Sequence, residues 1–266
     1  MTSAFSPLRV RTVMRRHFYV LWRNPARWFD IAVWPVFDVI LWGSLGAFVA
    51  QENEASRAAT PFLLAGIMLF HVLFQSQVGV ATGFMEETWS RNLLNLMTTP
   101  LTELEYAAGL ALFSFVKTIL AMATVSLVAL GFYGFGLGSV GWSLVPVVAV
   151  LLVVGFAVAL CNIALMLRFG QSAEIFTWGM NFLLLAVSGV FNPVSALPGP
   201  MQPIANVLPT TYVFDATRRV LDGASVPWSL IARGAVGAVV AVLLAFWFVV
   251  RMLATFRRRG FVTRFS

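Results

Sequence analysis

The chain has 266 residues, of which 59% are hydrophobic and only 11% charged, with a formal net charge of +7 and a mean hydropathy of +0.85. A soluble domain is about a quarter charged, so this composition leaves too little polar surface to cover a globule in water and defines an integral membrane protein. Cys161 is the single cysteine, which excludes an intrachain disulfide and gives no metal cluster.

All but one of the 18 basic residues are arginine, and they gather at the two ends of the chain. Residues 1–28 carry Arg9, Arg11, Arg15, Arg16, Arg23 and Arg27 without any acidic residue, interleaved with Val10, Val13, Met14 and Leu21 near helical spacing. This pattern predicts a cytoplasmic amphipathic helix lying along anionic headgroups. A cleaved signal peptide fits poorly, because its basic region is short and a small-residue cleavage site follows.

Apolar runs predict six spans, at about 29–50, 61–84, 106–132, 143–167, 174–191 and 229–250, each near the roughly 20 residues a bilayer requires. In the first, Asp30, Trp34, Asp38 and Trp42 form one stripe, and Pro35 is a candidate kink. The third carries Lys117, the only lysine. Residues 192–228 hold Pro193, Pro198, Pro200, Pro203, Pro209 and Pro227, with apolar pieces too short to cross. They predict an exterior re-entrant helical hairpin packed against protein, with Thr211 capping its second helix and Asp222-Gly223 ending it. The fold expected is therefore all-α: an amphipathic arm (1–28) and a six-span membrane domain (29–266).

Assigning the basic ends to the cytoplasm places Arg91 and Arg168 inside as well, against Arg57, Arg218, Arg219 and Arg233 outside, the bias that topology requires. Both termini are then cytoplasmic. The loop at 85–105 runs against the trend, with Glu86, Glu87, Glu103 and Glu105 against Arg91 alone. Within it Trp89, Leu93, Leu96 and Met97 fall on one helical face, Pro100 stops that helix, and Thr102 with Glu105 forms a capping box that starts the third span. A helix resting on headgroups is one reading, but anionic lipid repels glutamates, and a protein partner suits the element better.

The chain cannot burn a nucleotide itself: a P-loop needs Gly-x-x-x-x-Gly-Lys-Ser/Thr, and Lys117 follows Val116 inside a span. His17 and His71 assemble no zinc or serine-hydrolase motif. Intramembrane charges point inward or pair by default. Asp30 is expected to anchor with Arg27, Glu174 to suit the start of its helix, and Asp38 to neutralise Lys117 or, with it, to touch a substrate. The tryptophans Trp34 and Trp42 serve either packing or the stacking of a sugar.

Glu86-Glu87, Arg91, Leu93-Leu94, Thr99-Pro100-Leu101, Glu105 and Gly109 resemble the cytoplasmic motif of ABC-2 type exporter permeases. Asn192-Pro193, Leu208-Pro209, Tyr212 and Asp215 to Arg218 resemble that family's exterior hairpin. Asn92 departs from the motif, where glycine is usual. The resemblance implies a homodimer bound to two separate ABC ATPase chains, which hold the ATP and magnesium, so that this chain has no cofactor of its own and is not an enzyme. It implies a prokaryotic cell membrane and outward movement of lipid-linked glycans, polysaccharide, drugs or lipids. Glu86, Glu87, Trp89, Arg91, Leu93, Leu94, Met97 and Pro100 are then the candidate ATPase-coupling residues. Trp34, Asp38, Trp42, Lys117 and Tyr212 are the candidate lining of the translocation path. A membrane scaffold that binds a soluble partner without transport is the alternative, and an intramembrane lipid enzyme a third.

Overall fold

The structure, a computed structural model, describes residues 5–51, 59–90, 92, 95, 96 and 98–259. Among them the fold is entirely helical. The amphipathic arm forms α1 (Pro7–Arg23), followed by a single turn at Pro25–Trp28 and a π-helical turn at Phe29–Val33 that leads into α2 (Trp34–Ala50). The π turn and Pro35 adjoin, and Pro35 stands in the first turn of α2, where a missing N–H costs little. The remaining helices are α3 (Ala59–Trp89), α4 (Glu103–Tyr133), α5 (Leu144–Phe169), α6 (Glu174–Val187), α7 (Gln202–Val207), α8 (Pro209–Leu221) and α9 (Trp228–Arg259).

Among the described residues five helices are long and apolar enough to cross a membrane: Phe29–Ala50, Thr60–Trp89, Glu103–Tyr133, Leu137–Phe169 and Trp228–Thr255. The sixth expected span is shorter than its apolar run. Helix α6 has 14 residues, about 21 Å at 1.5 Å per residue, and the chain turns at Gly189, whose φ of 71° suits glycine.

Helix α3 is the axis of the molecule. Its most apolar stretch is 94% buried, against 11% for α9, and α2, α4 and α5 all pack on it. In a bilayer the lipid is as apolar as leucine, so close backbone approach and hydrogen bonds hold helices together. Both occur here. A Cβ built on Gly155 of α5 falls 1.9 Å from Ser76 Oγ of α3, and Ser114 Oγ of α4 donates to Ser76 O at 2.8 Å. The short α6 is tied to α3 by Asn181 Nδ2 donating to Gln77 Oε1 at 2.6 Å.

Two short helices do occupy the proline-rich segment. Thr211, however, is not a cap: α8 starts at Pro209 with Leu208 before it, and Thr211 Oγ1 donates to Ala205 O at 2.7 Å, bracing α8 against α7. Proline supplies the preset φ for the first turn and makes a capping side chain unnecessary. The helix ends as expected, with Asp222 followed by Gly223 at φ 83°.

Candidate functional site

The acidic loop and the basic arm meet. Helix α3 continues through Trp89, so Glu86, Glu87 and Trp89 belong to its last turn and not to a separate loop helix. Beyond it Asn95 and Leu96 are helical, with Leu96 N donating to Asn92 O at 3.0 Å. Arg91, Leu93, Leu94 and Met97 lie outside the described residues.

Three of the four glutamates at this end, Glu86, Glu87 and Glu105, find an arginine of the arm. Glu105 combines the expected capping box, with its Oε2 accepting from Thr102 N at 3.0 Å, and a two-pronged contact to Arg9: Nε to Oε2 at 2.8 Å and Nη2 to Oε1 at 2.7 Å. Ser6 N donates to the same Oε1 at 2.7 Å. Four donors thus converge on a side chain with no solvent exposure. Glu87, 2% exposed, accepts from Arg16 Nη2 at 2.8 Å and from Asn92 Nδ2 at 2.7 Å. Glu86 pairs with Arg27. The charge of Glu86, Glu87 and Glu105 is therefore answered within the chain, which weakens the loop's acidity as an argument for an outside protein. Of the expected coupling residues that are described, Trp89, 44% exposed, and Pro100 remain accessible, and Asn95 is exposed beside them.

The arm lies tightly against α4. A Cβ on Gly109 would fall 2.6 Å from Val13 Cβ and 3.0 Å from Val10 O, so a glycine at this position is a steric requirement of arm docking. One turn further along α1, His17 is 2% exposed, with its ring 5.4 Å from Phe113 and Nε2 4.0 Å from Glu87 Oε1. Neither ring nitrogen has a hydrogen-bond partner among the described residues. Burial pushes its pKa down to about 4, against the upward pull of Glu87 and with the push of Arg16 and Arg27. A lowered histidine pKa gives stability that is complete above about 6.5 and lost as pH falls toward 4. The expected cost of docking is about 2 kcal/mol by pH 5. The protection of α1 amides, corrected for their slower intrinsic exchange at low pH, should therefore fall as pH is lowered from 7.5 to 5, and His17→Phe should flatten that dependence.

Above this junction a cavity of about 720 Å³ opens between the arm, α2, α3, α4 and α6. Its charged lining is Arg27, Asp30, Glu86, Lys117 and Glu174. Lys117 Nζ bonds Asp30 Oδ2 at 2.7 Å, which corrects the expected pairing with Asp38. Asp38 instead has its Oδ2 3.3 Å from His71 Nε2. Arg27, expected to anchor Asp30, spans to Glu86. Of the other proposed path residues, Trp34 lines the cavity, whereas Trp42 stacks on Phe191 with ring centroids 3.8 Å apart and does not. Tyr212 donates its hydroxyl to Asn206 O at 2.6 Å within the hairpin. The sequence reading missed Glu174 as a cavity residue. Its signal was the short distance from a cytoplasmic turn to an apolar helix rich in aromatic residues.

An arginine-pinned amphipathic helix, a central buried span and a charged cavity (the vestibule) are the features of the site. The model of the ABC-2 type transporter family matches residues 9–221, from the Glu105-bound arginine to the last residue of α8, and the chain belongs to that family. It is a multi-pass membrane transport component. No curated protein matches the chain.

Proposed function

We propose that the chain is the permease subunit of an exporter driven by a separate ABC ATPase, working as a homodimer with two ATPase chains. In this reading six segments cross a prokaryotic cell membrane, α6 among them, both termini are cytoplasmic, and α7 and α8 dip into the exterior leaflet. ATP and magnesium stay on the partner, and an amphiphilic substrate moves outward.

The observation that carries the reading is mechanical. Trp89, exposed, is the last residue of α3, the helix on which the fold is packed, and the adjoining carboxylates Glu86 and Glu87 are gripped by the arm. A push on Trp89 is thereby delivered along α3 to the wall of the vestibule. Trp89, Arg91, Leu93, Leu94, Met97 and Pro100 are assigned to contact with the ATPase. Glu86 and Glu87, by contrast, transmit through the arm, because Glu87 is too buried to touch a partner.

Co-purification with an ABC ATPase and reconstitution in liposomes tests this. Stimulation of ATP hydrolysis by a transported amphiphile is the expected result. A complex that hydrolyses ATP at one rate with and without cargo would favour a scaffold.

A further inference from the structure

Among the described residues the charges that line the vestibule do not cancel. Arg27 pairs with Glu86 and Lys117 with Asp30, which leaves Glu174 as the one carboxylate of that lining with no ion pair or hydrogen bond among the described residues. It is half-buried at the start of α6. Around it the walls are aromatic: Trp34, Trp89 and Trp178 line the same cavity and keep 49%, 44% and 39% of their surface exposed. Large rings left open beside one uncompensated negative charge attract a cation by two additive effects, Coulomb attraction in a partly dry space and the negative face of the indole ring. An anion would meet Glu174 without a free arginine or lysine of that lining to offset it.

We propose that this vestibule binds an amphiphilic organic cation, with Glu174 as its counter-charge and Trp34 and Trp178 as its π-rich walls. The inference names the cargo class of the transport reading and rests on that reading for its physiological use. The vestibule's size suits the purpose, since ligand pockets run from about 300 to 1,000 Å³. Lipid-linked glycans, which carry phosphate, are disfavoured by the same charge balance.

The test uses the permease alone in nanodiscs, with no ATPase and no ATP. Binding of radiolabelled tetraphenylphosphonium is measured by equilibrium dialysis against empty nanodiscs of the same lipid, and tetraphenylborate, an anion of nearly the same shape, is measured in parallel. Saturable binding of the cation with far weaker binding of the anion is expected. Glu174→Gln should weaken the cation roughly tenfold or more, the loss of one ion pair in a partly dry site, whereas Glu174→Asp should retain most of it. Trp178→Ala provides a second variant with the same expected direction. A first-turn glutamate also suits a helix dipole. If Glu174→Gln lowers thermal stability and leaves tetraphenylphosphonium affinity unchanged, that role alone remains and the proposal is overturned. Equal binding of cation and anion overturns it as well. Cation binding without cargo-stimulated ATP hydrolysis would sustain the site while removing the transport reading. Stimulation by an anionic cargo, with no cation binding, would do the reverse.

Discussion

Glu105→Gln is expected to reduce cargo-stimulated ATP hydrolysis and transport by about tenfold or more, with insertion into the membrane unchanged. The reason lies in the count of donors. The two carboxylate oxygens of Glu105 accept from Ser6 N, Thr102 N and two nitrogens of Arg9. Glutamine replaces one of those oxygens with a donor. Whichever orientation the amide takes, its NH₂ then faces at least two N–H groups, and two bonds become repulsive contacts. Arginine–carboxylate contacts with two prongs gain much of their strength and geometry from charge on both sides, and that is lost too. The amide either keeps the capping box and loses Ser6 N and one prong of Arg9, or keeps those and loses the Thr102 N bond with the other prong, so the arm is loosened from α4 in both orientations. Arg11→Gln, on the exposed side of α1, should leave transport as it was. Hydrogen exchange should localise the Glu105→Gln effect to α1 and the first turn of α4. A variant with full coupling and an unchanged arm would refute a role for this contact in transmission.

The same contact shows what the sequence can and cannot disclose. Apolar run lengths located the five helices long enough to cross to within about six residues at each end, because a bilayer imposes a length that composition alone reveals. The Thr102–Glu105 box was legible because both partners stand three residues apart. Its third partner, Arg9, is 96 residues away, and no periodicity links the two. The acidity of 85–105 was read as an invitation to another protein for that reason. Its three pinning arginines lie on an arm that composition assigned to lipid headgroups. Only packing of α1 against α4 brings the two readings to one place.

A similar limit applies inside the membrane. Asp30 and Asp38 lie two turns apart on one stripe, so both face inward and either is a chemically sensible partner for Lys117. The choice depends on the height of α4 relative to α2. That height is fixed by the docked arm and by the Ser114 contact to α3. Glutamine 75 adds to it, with Nε2 donating to Asp30 O at 2.9 Å. A one-dimensional pattern gives the face of a residue and not its depth relative to a neighbouring helix. Helix α6 is the converse case, where an apolar run overstates the helix because Gly189 ends it early.

Lys117→Met is expected to destabilise the permease by about 3 kcal/mol, and the Lys117→Met/Asp30→Asn double variant to recover most of that loss. Lys117 is almost wholly buried and Asp30 is about 29% exposed, with 2.7 Å between Nζ and Oδ2. Taking one member away leaves a charge facing a low-dielectric wall, which is worse than having neither. Thermal unfolding of all four members of the cycle in one detergent measures the coupling. Transport by the double variant then separates two roles for the pair. If the ions serve only to neutralise each other, the stable double variant moves cargo at the rate of the original. If the pair opens during the cycle to exchange partners with a cargo charge, the double variant stays folded and transport falls. The second outcome is the expected one, because Asp30 borders the vestibule and its partial exposure leaves one edge of the carboxylate open to whatever enters.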